Sequence, residues 1–163
     1  MRRGAVYEGA KLMRRQALAA VTLAAGLIGG RAQAGPVEEA RAIVAEGTDL
    51  LEKAKKLHSD KRAASLAEGL RRYSRAYLLL TGRKLENDAP DLIQQISDQI
   101  KATNDLPEVV QMRRDLLTKA LDAIEAGELT QAYDHMASLR DLDPREWTVD
   151  YALRVISQKM EGG

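Results

Sequence analysis

Residues 63–80 read Ala63-Ala64-Ser65-Leu66-Ala67-Glu68-Gly69-Leu70-Arg71-Arg72-Tyr73-Ser74-Arg75-Ala76-Tyr77-Leu78-Leu79-Leu80. Ala63, Leu66, Leu70, Tyr73, Tyr77 and Leu80 recur at alternating spacings of three and four. A helix turns once every 3.6 residues, so this spacing draws one apolar seam along one side, as in a helical bundle. A strand would need apolar and polar residues alternating with period two, and the stretch has no such pattern. Ser59-Asp60 supplies the start, because both side chains can cap free amides. Gly82 is placed to end the helix in the left-handed conformation.

The same logic extends in both directions. Upstream, Pro36 suits a first helical turn, and the helix is expected to run to about His58. Its stripe is Val37, Ala40, Val44, Gly47, Leu51 and Ala54, widened by Ile43, Leu50 and Leu57. Downstream, Asn87 to Pro90 opens a helix faced by Leu92, Ile93, Ile96, Ile100 and Thr103. Asp105 and Glu108 stand at capping-box spacing before Val109, Val110, Leu116, Leu117, Ala120, Leu121 and Ile124, and Gly127 breaks that run. A fifth helix carries Leu129, Ala132, Tyr133, Met136, Leu139 and Leu142. Asp143-Pro144-Arg145-Glu146 repeats the start signal (cap, Pro at N1, Glu at N3), and the sixth helix buries some of Trp147, Val149, Leu153, Ile156 and Met160. The connections are short, which favours antiparallel neighbours. The expected fold is all-α: an antiparallel helical bundle of four to six helices with no sheet.

The N-terminus reads differently. From Met13 come Arg14-Arg15, an apolar run from Ala17 to Gly30, and Ala32-Gln33-Ala34 before Gly35. A basic start, a short apolar run and a small-x-small cleavage site make an export signal, with 1–34 as leader and 35–163 as one domain. The run is too short for a membrane span of ~20 residues. Arg14-Arg15 is the kind of pair that twin-arginine export reads, although two arginines suit any such leader. Met13 is a candidate true start in a bacterium. In an alga or plant, residues 1–12 would be the remnant of a transit peptide preceding a lumenal signal. Both place the domain across a bacterial-type membrane, in a periplasm or thylakoid lumen.

Composition excludes several classes. The 163 residues contain no Cys, so disulfide scaffolds, zinc-thiolate sites and thiol enzymes are out. Residues 35–163 hold 19 basic and 23 acidic residues, a net of −4, which argues against a general nucleic-acid binder. No catalytic constellation stands out. Ser65 lies on a helix rather than at a nucleophile elbow, and no phosphate loop or dinucleotide fingerprint is present. His58 reads as a helix C-terminal residue. As a metal ligand with His135 it would need partners such as Asp134, Asp141 or Asp143, and a haem would need a Met such as Met112, Met136 or Met160. Neither a cofactor nor a metal is expected, and the protein is read as no enzyme.

What remains is a locally basic second helix with Lys61, Arg62, Arg71, Arg72, Arg75, Arg83 and Lys84 around Tyr73 and Tyr77. One reading is a solvated outer face. The functional one is a protein-docking face built on Arg62, Arg71, Arg72, Tyr73 and Arg75, since Arg and Tyr are efficient interface residues.

Two resemblances extend that reading. Ser65, Leu66, Leu70 and Arg71, followed by Tyr77-Leu78, resemble the Ser-Leu-x3-Leu-Arg segment and following Tyr-Leu of the PsbQ-like extrinsic subunits of photosystem II. That resemblance implies a lumenal four-helix bundle docking on a membrane complex. Ala120, Gly127, Leu129, Ala132, Met136 and Pro144 are similar to one tetratricopeptide repeat, which implies a periplasmic adaptor binding a protein or peptide. The first expectation is therefore an exported, non-catalytic accessory subunit that does not span the membrane. The adaptor is the alternative, and a haem- or metal-carrying bundle the third.

Overall fold

The structure is a computed structural model, and it describes residues 35–162. The export segment expected over 1–34 and the terminal Gly163 lie outside the described residues. Six helices follow one another: α1 (Pro36–Ala54), α2 (Ser59–Gly82), α3 (Pro90–Asn104), α4 (Pro107–Glu125), α5 (Leu129–Leu142) and α6 (Trp147–Glu161). There is no strand among the described residues. The described residues are all-α, as the seam spacing requires.

The α1–α2 hairpin is the tightest pairing, and two glycines make it so. A Cβ on Gly47 would sit 3.0 Å from the Tyr73 ring, and one on Gly69 would sit 2.6 Å from Leu51. Ser65 Oγ donates to the Leu50 carbonyl at 2.9 Å. Positions rise along α1 as their partners fall along α2, so the two helices run antiparallel. Tyr73 fills this seam at 0% exposure. Thr48 Oγ1 spends its one proton on the Val44 carbonyl at 2.9 Å, so the Tyr73 hydroxyl is the donor in their 2.8 Å bond.

Helix α2 packs against α1, α3, α4 and α5, and α5 packs against α4 and α6. Apolar side chains gather into two clusters. The first joins α1, α2, α3, Val109 and Leu142. The second joins Ala120 and Ala123 with Ala132, Met136 and Leu139 of α5, and Val149, Leu153 and Ile156 of α6. Leu116 packs against both.

Several helix ends differ from the sequence expectation. Helix α1 stops at Ala54, not His58. His58 is instead the N-cap residue of α2, and Ser59 takes a left-handed φ of +48° rather than capping. Gly82 is the last helical residue of α2, and Lys84, at φ +56°, takes the left-handed position. The Leu85 amide reaches back to the Leu80 carbonyl at 2.9 Å, and the Lys84 amide reaches the Thr81 carbonyl at 3.0 Å. This is a Schellman closure shifted two residues by the placing of Leu85 against the core. Gly127, at φ +76°, closes α4 in the same way and where the sequence puts it. A lysine in the left-handed region carries a steric cost that glycine lacks. Lys84→Gly is therefore expected to stabilise the fold by about 1 kcal/mol in thermal or urea unfolding. A loss of stability would show that the Lys84 side chain makes a contact that outweighs its strain.

Of the carboxylates expected to cap α4 and α6, Glu108 and Glu146 do other work, and Asp143 accepts the Arg145 amide at 3.1 Å together with the Arg145 guanidinium. Neither helix has a side-chain cap bond, and their N-cap residues are Leu106 and Glu146. Glu108 pairs with Arg62, Glu146 with Arg113, and Asp143 with Arg145. A guanidinium is a stronger partner for a carboxylate than a single backbone amide. The apolar run of α4 also spreads over more than one face. Val110, Leu117 and Leu121 are at the surface, as are Trp147 and Met160 of α6.

Candidate docking surfaces

Arg71, Arg72 and Arg75 lie on the outer flank of a helix whose inner flank is the core seam, whereas Arg62, near the helix start, falls in phase with that seam and so does not join them. Arg71 Nη1 donates to Glu68 Oε2 at 3.2 Å. Arg72 lies between Glu68, at 3.2 Å, and Glu46, at 3.6 Å. Arg62 Nε lies 3.1 Å from Glu108 without hydrogen-bond alignment. The candidate face is thus largely neutralised by its own neighbours. Tyr73 is not available for docking at all, because the seam spacing carries it into the core. Arg75 remains exposed and has no ion-pair partner among the described residues. With Arg71 and Leu78 it forms an exposed stripe spaced four and three apart.

A second surface lies on α6, where Val149, Leu153 and Ile156 face the core. The opposite side carries Trp147, Tyr151 and Arg154, again four and three apart. Trp147 is 74% exposed and Tyr151 60%. The sequence reading missed this surface by grouping Trp147 with Val149, Leu153, Ile156 and Met160 without saying which of them are buried. The available signal was its phase, since Trp147 falls on the Tyr151–Arg154 side of the helical wheel.

A half-buried polar cluster braces the turn before α6. Arg145 donates from Nε to Asp143 Oδ1 and from Nη2 to Oδ2, both at 2.8 Å, and from Nη1 to the Ser97 carbonyl at 2.9 Å. Arg113 bonds Glu146 and Asn104 Oδ1, and Asn104 Nδ2 donates to the Leu142 carbonyl. Burial pushes the Asp143 carboxyl up. Bonds from the Arg145 side chain and amide, with the charges of Arg145 and Arg113, outweigh it and hold the carboxyl below its ordinary value. The bond to Asp143 raises Arg145 against its own desolvation. These groups are scattered over 97–146, and nothing in their spacing foretells that they meet.

The remaining candidates do not converge. His58 is exposed at the start of α2, and His135 lines an open cleft with Lys119, Asp122, Glu128 and Gln131. Met136 is in the second cluster, Met112 packs on the first, and Met160 is at the surface. Asp143 is committed to Arg145. No group of three or more potential metal ligands occurs among the described residues. No described helix is long and apolar enough to cross a membrane. Compared with protein-family models, with curated proteins and with solved structures, the chain matches none.

Proposed function

We propose that this protein is a non-catalytic docking subunit that acts by binding another protein, with the outer face of α6 as its main contact. The observation that carries this reading is the pair Trp147 and Tyr151, one turn apart, turned away from the core and mostly in water. The chain has one Trp and no Phe. Burying an aromatic side chain is worth roughly 1.5–3 kcal/mol, which a partner covering this face would recover. Arg154 beside them adds a directional polar contact of the kind interfaces use.

The leader read over 1–34 and the PsbQ-like resemblance support a partner in a membrane complex, reached from a thylakoid lumen or periplasm. One observation favours the adaptor reading over a single four-helix core. Ala120 and Ala132 are both at 0% exposure in a second cluster that also takes in Met136, next to the Gly127 closure. Small residues buried together beside such a closure are what a tetratricopeptide-like hairpin would place there, which supports a peptide- or protein-binding adaptor.

In extracts of the producing cell, the wild-type protein is expected to migrate with a larger assembly. Trp147→Ala with Tyr151→Ala should leave helicity unchanged and move the protein to its own 17.9 kDa size or less. Unchanged co-migration of that variant would remove the α6 face from the reading. Loss only in Arg71→Glu with Arg75→Glu would transfer the contact to α2.

A further inference from the structure

The surface residues of α4 form a pattern of their own. Val110, Leu117 and Leu121 are 43%, 44% and 49% exposed. With Arg114 among them and half-buried Ile124 beyond, the spacings run four, three, four, three. That is the seam which lets one helix pack along another. It lies roughly a quarter turn from the Val109–Leu116–Ala120–Ala123 face, so the two clusters of the fold leave Val110, Leu117 and Leu121 uncovered, and only Ile124 packs on the second cluster.

Two charges mark the same edge. Arg114 interrupts the seam and Glu125 closes it, and both are exposed. Neither has an ion-pair partner among the described residues. Eleven residues of helix separate them, about 16 Å, so they cannot meet within one chain. They can meet across a two-fold axis. With two α4 helices antiparallel and Leu117 of each against Leu121 of the other, Arg114 of one copy falls beside Ile124 and Glu125 of the second.

We propose that α4 is a homodimer contact, in which a second copy of this chain pairs antiparallel through Leu117 and Leu121 and exchanges Arg114–Glu125 ion pairs. An isologous contact needs a surface complementary to itself. This stripe has an apolar centre, a cation towards one end and an anion at the other. Antiparallel pairing also sets the helix dipoles against each other favourably. The patch is a few side chains per copy, so the dimer is weak and reversible, with its population set by concentration.

The test is sedimentation velocity of the full chain over a concentration series. The mean mass is expected to rise from the 17.9 kDa monomer towards twice that value. Leu117→Glu, at an exposed position, should keep its helicity and raise the dimer dissociation constant more than about 30-fold. Arg114→Glu and Glu125→Arg should each weaken association, and the two together should restore it. A monomer at every concentration up to about 1 mM would overturn the proposal. So would a dimer indifferent to Leu117→Glu, or a double charge reversal no better than either single one. Trp147→Ala with Tyr151→Ala should dimerise like the wild type, which keeps this contact separable from the α6 docking face.

Discussion

Leu70→Ala is expected to lower the unfolding free energy by ~2–5 kcal/mol, read from urea denaturation. Leu70 is at 0% exposure near the middle of α2, the helix on which α1, α3, α4 and α5 all rest. Truncation removes buried methyl groups and leaves a hole. Its small neighbours one turn away along the helix, Ala67 and Ser74, cannot fill that hole. Tyr73 is anchored to Thr48 and is poorly placed to swing in. A loss below about 0.5 kcal/mol would mean that the α2 seam is not closed. The contrast is Leu117→Ala. The apolar pattern of α4 alone puts Leu117 in the core, but at 44% exposure its truncation should change monomer stability by less than about 0.5 kcal/mol.

Arg145→Ala is expected to cost about 3 kcal/mol at neutral pH, because it strands a carboxylate. The Asp143 side chain is only 10% exposed, and Arg145 gives it two side-chain bonds and a backbone amide bond. The same substitution frees the Ser97 carbonyl of α3 and so loosens the α5–α6 turn from the first cluster. Linkage gives a second handle. The folded-state pKa of Asp143 is depressed, so its contribution is fully present above the unfolded-state value and is lost as pH falls through the folded one. Asp143→Asn should therefore destabilise most near neutrality, with the difference from wild type shrinking below about pH 4. A difference that stays constant down to about pH 2 would show that the pair carries no net linkage.

Much of the fold could be read from spacing alone, for a physical reason. Burial of an apolar seam dominates the energetics, and the seam is periodic in sequence. Leu66, Leu70, Tyr73 and Leu80 are all buried where the three-and-four spacing puts them. Tyr73 also shows the limit of reading a cluster by composition. Its neighbours Arg71, Arg72 and Arg75 make the segment look like a docking face, but the phase of Tyr73 belongs to the seam, and the seam prevails. Helix ends were less legible because a carboxylate near a helix start has two suitors. Glu108, Asp143 and Glu146 sit at capping positions in sequence, yet arginines from 2 to 46 residues away claim them. Gly127 was read correctly because nothing competes with glycine for its left-handed position. Gly82 was not, because Leu85 draws the closing bonds two residues further on. The α6 surface was missed because apolar character alone does not say whether a helix has a neighbour on that side.

The proposed docking has Trp147 and Tyr151 covered by another protein where this one works. Oxidative footprinting reads it directly, comparing the protein in its native assembly with the purified chain. Both side chains should be protected in the assembly and become reactive on purification, while buried Tyr73 is unreactive in both. Equal reactivity of Trp147 and Tyr151 in the two states would contradict it.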